Sequence, residues 1–381
     1  MYLQGRSRRA QAFGGMNKEG VIDSPTGSDA GGRPRGRVRS PGSGSSPTLA
    51  DLARRLGVSS MAVSLALNGR PGVSDELRAA ALSLAEELGY RPNYAARALR
   101  TERTSMMGII NRNLHNPAFL NVIEGFDDEC AAHGYQVMIG SSRLDLAHEL
   151  ALIEAFAARE LEGLAIAPLE TEAARKTWRR KSERPIAILN AFAARNDPNV
   201  LSVRSDAVTA VRLAVEHLRE LGHRRIALLT GTVKERSDSD RDSEFIAAMG
   251  RDSLTPHMIA CGWDAAHARA AISAALAAPR AQRPTAIIAN SDHLAHAAYL
   301  AAQDNGLVVP HDLSVIGHDD VETSQILGPP LTTFRTDRYA IGRLSARLLI
   351  DIAEGREPDD RHIEVPVELI VRGSTGPARR D

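Results

Sequence analysis

Along the 381 residues, the side chains best suited to hold a small molecule stand at the ends of short apolar runs. Asn111 follows MMGII, with His115 and Phe119 a few residues on. Ser141 follows YQVMIG, Asn190 closes PIAILN and Asp206 closes VLSVRSD. Trp263 comes after HMIACG, Ser291 after TAIIAN, and His318 and Asp319 after LSVIG. Amides, hydroxyls, imidazoles and carboxylates are hydrogen-bonding groups, and an indole covers the apolar face of a sugar or stacks on a nucleobase. That is the chemistry of binding. The types needed for covalent chemistry are not assembled: there is no P-loop, no G-x-G-x-x-G after a strand and no G-x-S-x-G. No histidine pair has metal-ligand spacing, and Cys130 and Cys261 lie far apart, so neither metal nor cofactor is expected. Bland readings stand beside these. Trp263 also fits a core position, Asp319 and Asp320 fit a cap on the turn after a strand, and lone histidines are commonly structural.

These residues need strands to position them. The expected strands are Met106–Ile110, Tyr135–Gly140, Leu161–Pro168, Pro185–Asn190, Val200–Asp206, Arg225–Thr230, His257–Gly262, Thr285–Asn290 and Leu313–Gly317. Helical segments at 119–133, 146–160, 208–221 and 292–305 separate most of them. Such alternation predicts α/β units with parallel sheets, enough for two subdomains. Ligands of such sheets sit outside the carboxyl ends of the strands.

The N-terminal part has a different character. Residues 1–46 are rich in Gly, Ser, Pro and Arg with little to bury, and are expected to be disordered. A start at Met16 explains part of this tail equally well. In TLADLARRLGVSSMAVSLALNG, Thr48 can cap a helix whose inner face is Leu49, Leu52, Ala53 and Leu56. Gly57 ends it, and a second helix follows with Val63, Ala66 and Leu67 inward and Ser60, Met61, Ser64 and Leu65 outward. Two short helices joined by a glycine turn form either a helix-turn-helix or an ordinary hairpin. Ser74 begins a third helix with Leu77, Ala81, Leu84 and Leu88 as its stripe. Residues 1–100 carry fifteen Lys and Arg against eight Asp and Glu, whereas the chain as a whole is balanced. A basic head on an acidic body suits a nucleic-acid end joined to a part with another task. Asn93–Arg100, behind Pro92, is either a marginal helix that folds on binding or a plain linker.

The chain resembles the lactose/galactose repressor (LacI/GalR) family over nearly all of residues 48–374. The resemblance rests on GVSSMAVSLALNG, ELGYRPNYAARALRTERT, HNPAF, VEHLRELGHRRIALLTG, NSDHLA, VPHDLSVIGHDD, PPLTTFRTD and VPVELIVRGST, in that order. It implies a small all-α helix-turn-helix head and an α/β two-lobed body like the periplasmic binding proteins. The segments would be a tail (1–46), a DNA-binding head (47–90), a hinge helix (91–104) and an effector-binding and dimerisation body (105–374). It places Ser60, Met61 and Leu65 at base-reading positions, Ser64 at a phosphate or base edge, and Leu99 at the leucine that wedges into the minor groove. Thr48, Ser59, Asn68 and Arg97 complete the DNA-facing set. Arg241 falls at the arginine of an R-x-x-G-F stretch, although a solvated loop fits its charged surroundings too. Three departures stand out: Leu65 replaces an arginine or histidine, Glu244 the glycine of that stretch, and Ser291 an asparagine.

What the resemblance implies is a transcription regulator on a near-palindromic operator, controlled by a small metabolite, preferably a sugar, between the lobes. With no leucine heptad tail, a homodimer is expected. The absence of a signal peptide or an apolar run of membrane-spanning length leads to an expectation of a cytoplasmic protein without membrane contact. A sugar-binding transport component and an α/β enzyme are the competing classes.

Overall fold

The structure is a computed structural model that describes residues 47–91, 103–191, 197, 199–231 and 239–379. The tail, Arg97 and Leu99 lie outside the described residues. Those up to Arg91 form one compact unit and those from Arg103 onward another.

The first unit holds α1 (Leu49–Leu56), α2 (Ser60–Leu67) and α3 (Asp75–Glu87). Each begins at a hydroxyl cap, which gives a partner to a helix-end N–H. Thr48 Oγ1 accepts from Asp51 N (3.3 Å) and donates to the Asp51 carboxylate (2.7 Å), which also accepts Thr48 N. Ser59 Oγ accepts Ala62 N at 3.1 Å and Ser74 Oγ accepts Leu77 N at 3.3 Å. Gly57 ends α1 at φ +64°, a left-handed conformation that costs glycine little. Leu52, Ala53, Val63, Ala66 and Ala81 are buried, with Leu49, Leu56, Leu67, Leu84 and Leu88 packed around them. So small a core makes each cap count. Ser59→Ala should cost about 1 kcal/mol, raising opening of the head roughly fivefold. Limited proteolysis of the full chain would show faster cleavage within the head, and Ser59→Asp should restore the parent rate.

The second unit has two lobes. The first contains β1 (Met106–Asn111), β2 (Gln136–Ser141), β3 (Gly163–Ile166), β4 (Ile186–Leu189) and β5 (Val200–Ser205), alternating with α4 (Ala118–Ala132), α5 (Leu146–Ala157) and α6 (Thr171–Lys181). The chain then crosses into the second lobe. There α7 (Ala207–Glu220), β6 (Ile226–Thr230), α8 (Ser239–Gly250), β7 (His257–Ala260), α9 (Ala265–Leu276), β8 (Ala286–Ile288), α10 (Asp292–Asp304), β9 (Ser314–Asp319), α11 (Thr323–Ile326) and β10 (Thr332–Thr336) follow. A return crossing places α12 (Arg338–Ala353) against α4 and leads to β11 (His362–Val365) in the first sheet. A last crossing adds β12 (Val367–Ile370) to the second.

The sheets run β11-β5-β4-β3-β1-β2 and β12-β10-β9-β8-β6-β7. Every pairing is parallel except that of β10 with β12, so the expectation of two parallel sheets holds with one antiparallel edge. Runs such as GLAI, IAIL and IALLT are buried throughout, as strands with helices on both faces require. The buried Asp292 is fully matched. Asp292 accepts Ser324 Oγ (2.6 Å), Thr333 Oγ1 (2.5 Å) and Val321 N (3.0 Å), which ties the start of α10 to β10 and α11. Among the described residues, no helix is long and apolar enough to cross a membrane.

Candidate functional site

Both sheets share one winding. In the first, β1 lies between β2 and β3; in the second, β6 lies between β7 and β8. The strand order reverses there, and the loops leaving neighbouring strands part to opposite faces, opening a crevice at the carboxyl ends. The crevices of the two lobes meet in one cleft. From the first lobe it is lined by Arg112, Asn113, Asn116 and Phe119 after β1 and by Asn190 after β4. From the second come Trp263 after β7, Asn290 and Ser291 after β8, and His318 and Asp319 on β9, with His293 on α10 and Arg241 on α8. Ser205, Ala207 and Arg338 sit on the crossings between lobes. Open space at the centre is about 90 Å³, room for roughly six to nine water-sized groups, the scale of one sugar ring or one nucleobase.

Local chemistry fixes most of these side chains. Asn113 Oδ1 accepts the N–H groups of His115 (2.9 Å) and Asn116 (3.0 Å), folding the loop after β1 into a tight turn. Arg112 is buried. Its Nε donates to Pro168 O at 3.0 Å, its carbonyl accepts Ser142 Oγ and Leu144 N, and its guanidinium lies 4.2 Å from the centre of the Trp263 ring. That cation–π contact joins the lobes across the cleft. Behind Arg112, the buried Glu149 accepts Leu169 N on both oxygens (3.1 Å each). Burial pushes its carboxyl up to about 7, against the pull of those N–H bonds and of Arg112.

At the far wall Asp319 pairs with Arg338, both nearly buried. Burial raises the Asp319 carboxyl to about 7, opposed chiefly by Arg338. Its neighbour His318 is pushed well below the ordinary imidazole value, first by burial and then by the positive charges of Arg338 and Arg241. It therefore stands neutral among cations, its ring 5.9 Å from that of Phe334. Trp263 Nε1, Arg338 Nε, Asn190 Oδ1 and Asp319 Oδ2 at the cleft have no hydrogen-bond partner among the described residues. Two donors and two acceptors are thus left for a ligand or water. No cluster of metal-ligating side chains occurs among the described residues.

Seven of the eleven side chains expected around a ligand converge here: Phe119, Asn190, Arg241, Trp263, Ser291, His318 and Asp319. Ser291 has a second task, its Oγ accepting Leu294 N (3.2 Å) to cap α10. The other four lie elsewhere. Asp206 turns its carboxylate onto Thr209 N (2.9 Å) as the cap of α7. Asn111 is fully buried at the end of β1, behind the lining, and neither atom of its amide has a partner among the described residues. His115 is exposed on the loop, and Ser141 ends β2 away from the cleft. Missed from the sequence were Arg112, Asn113, Asn116, Asn290, His293 and Arg338. Position after a strand was a signal for Arg112, Asn113 and Asn290; nothing local marked Arg338, whose place depends on the return crossing.

In the head, Thr48, Ser59 and Asn68 are occupied with helix ends: the first two cap α1 and α2, and Asn68 Nδ2 donates to Ser64 O at 2.7 Å. Ser60 and Met61 are exposed on α2, Met61 at 66%, while Ser64 and Leu65 are half-buried beside them.

Comparison with known proteins agrees with both halves. The family of bacterial regulatory proteins named for lacI matches residues 48–93, and the periplasmic binding protein-like domain matches 215–375. The chain is 31% identical to the HTH-type transcriptional repressor CytR of Escherichia coli K12 over 331 residues, which are 86% of this chain and 96% of that one. It is 30% identical to the HTH-type transcriptional repressor PurR of Edwardsiella ictaluri, over the same shares. The crystal structure of the lac repressor dimer bound to operator and the anti-inducer ONPF superimposes with a TM-score of 0.76 at 27% identity, covering 87% of this chain and all of that one. The chain belongs to the lacI family of bacterial regulatory proteins, DNA-binding repressors and not enzymes.

Proposed function

We propose that this protein is a homodimeric repressor that reads a near-palindromic operator through α2 and changes its operator affinity when a sugar or sugar derivative binds between the lobes. The observation that carries the reading is the cleft. Side chains from both lobes and from the crossings line one space, and donors and acceptors remain unmatched in it. A ligand touching both lobes favours one arrangement of them, and a preference between arrangements is what alters affinity at a distant site. Mixed donors and acceptors suit hydroxyl groups, which are both.

On DNA, Ser60, Met61, Ser64 and Leu65 are assigned to the major groove. Thr48, Ser59 and Asn68 hold the helices that present them. Arg97 and Leu99 are assigned to the operator centre. Two heads related by a twofold axis require a site with matching symmetry. Leu65 cannot read guanine by paired hydrogen bonds, so apolar contact carries more of the recognition at that position.

The test is binding of the full chain to DNA from upstream of its own gene. Binding should need both half-sites and fall steeply with salt, because neutralising phosphates releases counterions. Equal binding to random DNA at moderate salt would end the sequence-specific reading. Leu99→Ala should weaken operator binding far more than nonspecific binding, since alanine is too short to wedge open a base step. Equal operator affinity for variant and parent would leave Asn93–Arg100 as a plain linker.

A further inference from the structure

We infer that Glu162 and Arg103 are positioning residues for operator binding, clamping the chain that arrives from the head onto the first lobe. The inference rests on the head reading an operator under control of the cleft, and it adds the joint through which that control passes.

The clamp is built at the starts of three neighbouring strands. Glu162, one residue before β3, is fully buried. One of its carboxylate oxygens accepts Ser105 N at 2.7 Å, and the other accepts Arg103 Nε at 2.8 Å and Nη2 at 2.7 Å. The Arg103 guanidinium also donates to the hydroxyl of Tyr135, one residue before β2, and lies 5.9 Å from the centre of that ring. Thr104 Oγ1 donates to Glu160 O at 2.9 Å. On the backbone, Gln136 N donates to Ser105 O and Glu162 N to Met106 O, both at 2.9 Å. Residues 103, 104, 105 and 106 are thus each bonded to the chain at the start of β2 or β3. The first two belong to the hinge segment expected at 91–104, so that segment ends fastened to the body.

Backbone conformation marks the same place. Ser105 at φ +53° and Glu160 at φ +54° are left-handed, a conformation that residues other than glycine adopt at a cost. They stand on either side of the Thr104–Glu160 bond, and such a pair persists only where the surroundings fix it. A buried carboxylate likewise needs its partners to offset the loss of water. A plain tether has no use for either.

The clamp has a direct line to the cleft. β1 begins at Met106, one residue past Ser105, and ends at Asn111, next to Arg112 and Asn113 of the lining. Its six residues span about 20 Å. It is flanked by β2 and β3 and buried from Met107 onward, so it moves with its lobe as one piece. When a ligand changes the arrangement of the lobes, the first lobe carries the clamp with it. A closed clamp turns that motion into a new direction for the chain leading to the head. An open clamp lets the dihedrals of residues 103–105 absorb the motion, and the two sites lose their coupling.

The test is titration of the full chain on upstream operator DNA and on random DNA, for the parent, Glu162→Ala, Arg103→Gln and Arg103→Lys. Random DNA accepts a head wherever it lands, whereas an operator takes two heads at set places. Glu162→Ala should weaken operator binding about fivefold or more and leave random-DNA binding within about twofold. Arg103→Gln should weaken operator binding about threefold, and Arg103→Lys, which keeps a charged donor for Glu162, should stay closer to the parent. The titrations are repeated with the sugar or sugar derivative that raises the parent's thermal unfolding temperature most. Its effect on operator affinity should shrink in Glu162→Ala, although calorimetry shows its own affinity for the cleft unchanged within about twofold. Should Glu162→Ala fold poorly, Arg103→Gln decides, since the Arg103 side chain is 40% exposed and its loss leaves the core filled. Parent-like operator preference in both Glu162→Ala and Arg103→Gln would overturn the inference. Equal losses on operator and random DNA would overturn it too, because they locate the damage in the head. A parent without preference for upstream DNA would remove the operator reading itself, and this inference with it.

Discussion

Trp263→Ala is expected to abolish the effector response and leave operator affinity without effector within about twofold of the parent. The indole supplies three things at once. Its face holds the Arg112 guanidinium at 4.2 Å, its Nε1 offers an unmatched donor to the cleft, and its ring packs on the second-lobe core. Alanine removes all three, so a ligand would lose contacts in one lobe together with the positioning of Arg112 in the other. Coupling between sites equals the difference in ligand affinity between the two lobe arrangements, and without contacts to both lobes that difference vanishes. The head has its own core and caps and should read DNA unchanged. Operator titration with and without ligand measures both quantities. An unchanged response would place the ligand elsewhere; lost operator binding would mean that the substitution disturbs more than the cleft.

Gly342→Ala should be the most destabilising methyl addition to the first lobe. A Cβ there would lie 1.9 Å from Val122 O and 2.8 Å from Phe126 N, both backbone atoms of α4. Gly125 faces the same contact from the other side, its Cβ position 2.1 Å from Tyr339 O. Backbone cannot rotate away as a side chain can, so α12 and α4 must separate. Overpacking costs about 1–3 kcal/mol where side chains can yield, and about 3 kcal/mol or more is expected here. Thermal unfolding should fall by roughly 6–12 °C, given the slope for a body of this size. Because α12 begins at Arg338, one turn before Gly342, its shift would also disturb the Asp319 pair, and the effector response should decline with stability. Gly125→Ala/Gly342→Ala should cost less than the sum of the single changes, since the first already opens the seam. A melting temperature within a degree of the parent would mean that the helices are not locked at this crossing.

How legible all this was in the sequence depended on the kind of signal. Nine strands show as apolar runs because both faces of each sheet are covered, and the three-helix head shows through its caps and stripes. By contrast β10 reads TTFRT, and its threonines look solvated. They are buried because their hydroxyls are spoken for, Thr333 by Asp292 and Thr332 beside Thr375, and a scan for apolar runs cannot see that. The edge strands β11 and β12 are half-exposed and alternate too briefly to announce themselves. In the cleft, residues at strand ends were found because a parallel sheet sends them to one edge. Arg112 was passed over because arginine at a loop is usually wet; here stacking on Trp263 and a bond to Pro168 bury it. Arg338 depends on a chain crossing, a property of topology that no local pattern encodes. Asp206 was the converse: an acidic residue at the right edge, spent on a helix end.

The central claim, that one chain joins an operator-reading head to a ligand cleft that controls it, is tested most directly by operator titration of the full chain against upstream DNA. The titration is run for the parent and for Trp263→Ala, each with and without the sugar or sugar derivative that raises the parent's thermal unfolding temperature most. The account predicts tight, salt-sensitive binding by both proteins without ligand, and a ligand-dependent change in affinity of about fivefold or more in the parent only. A ligand-dependent change of the same size in both, or no preference of the parent for upstream over random DNA, would contradict it.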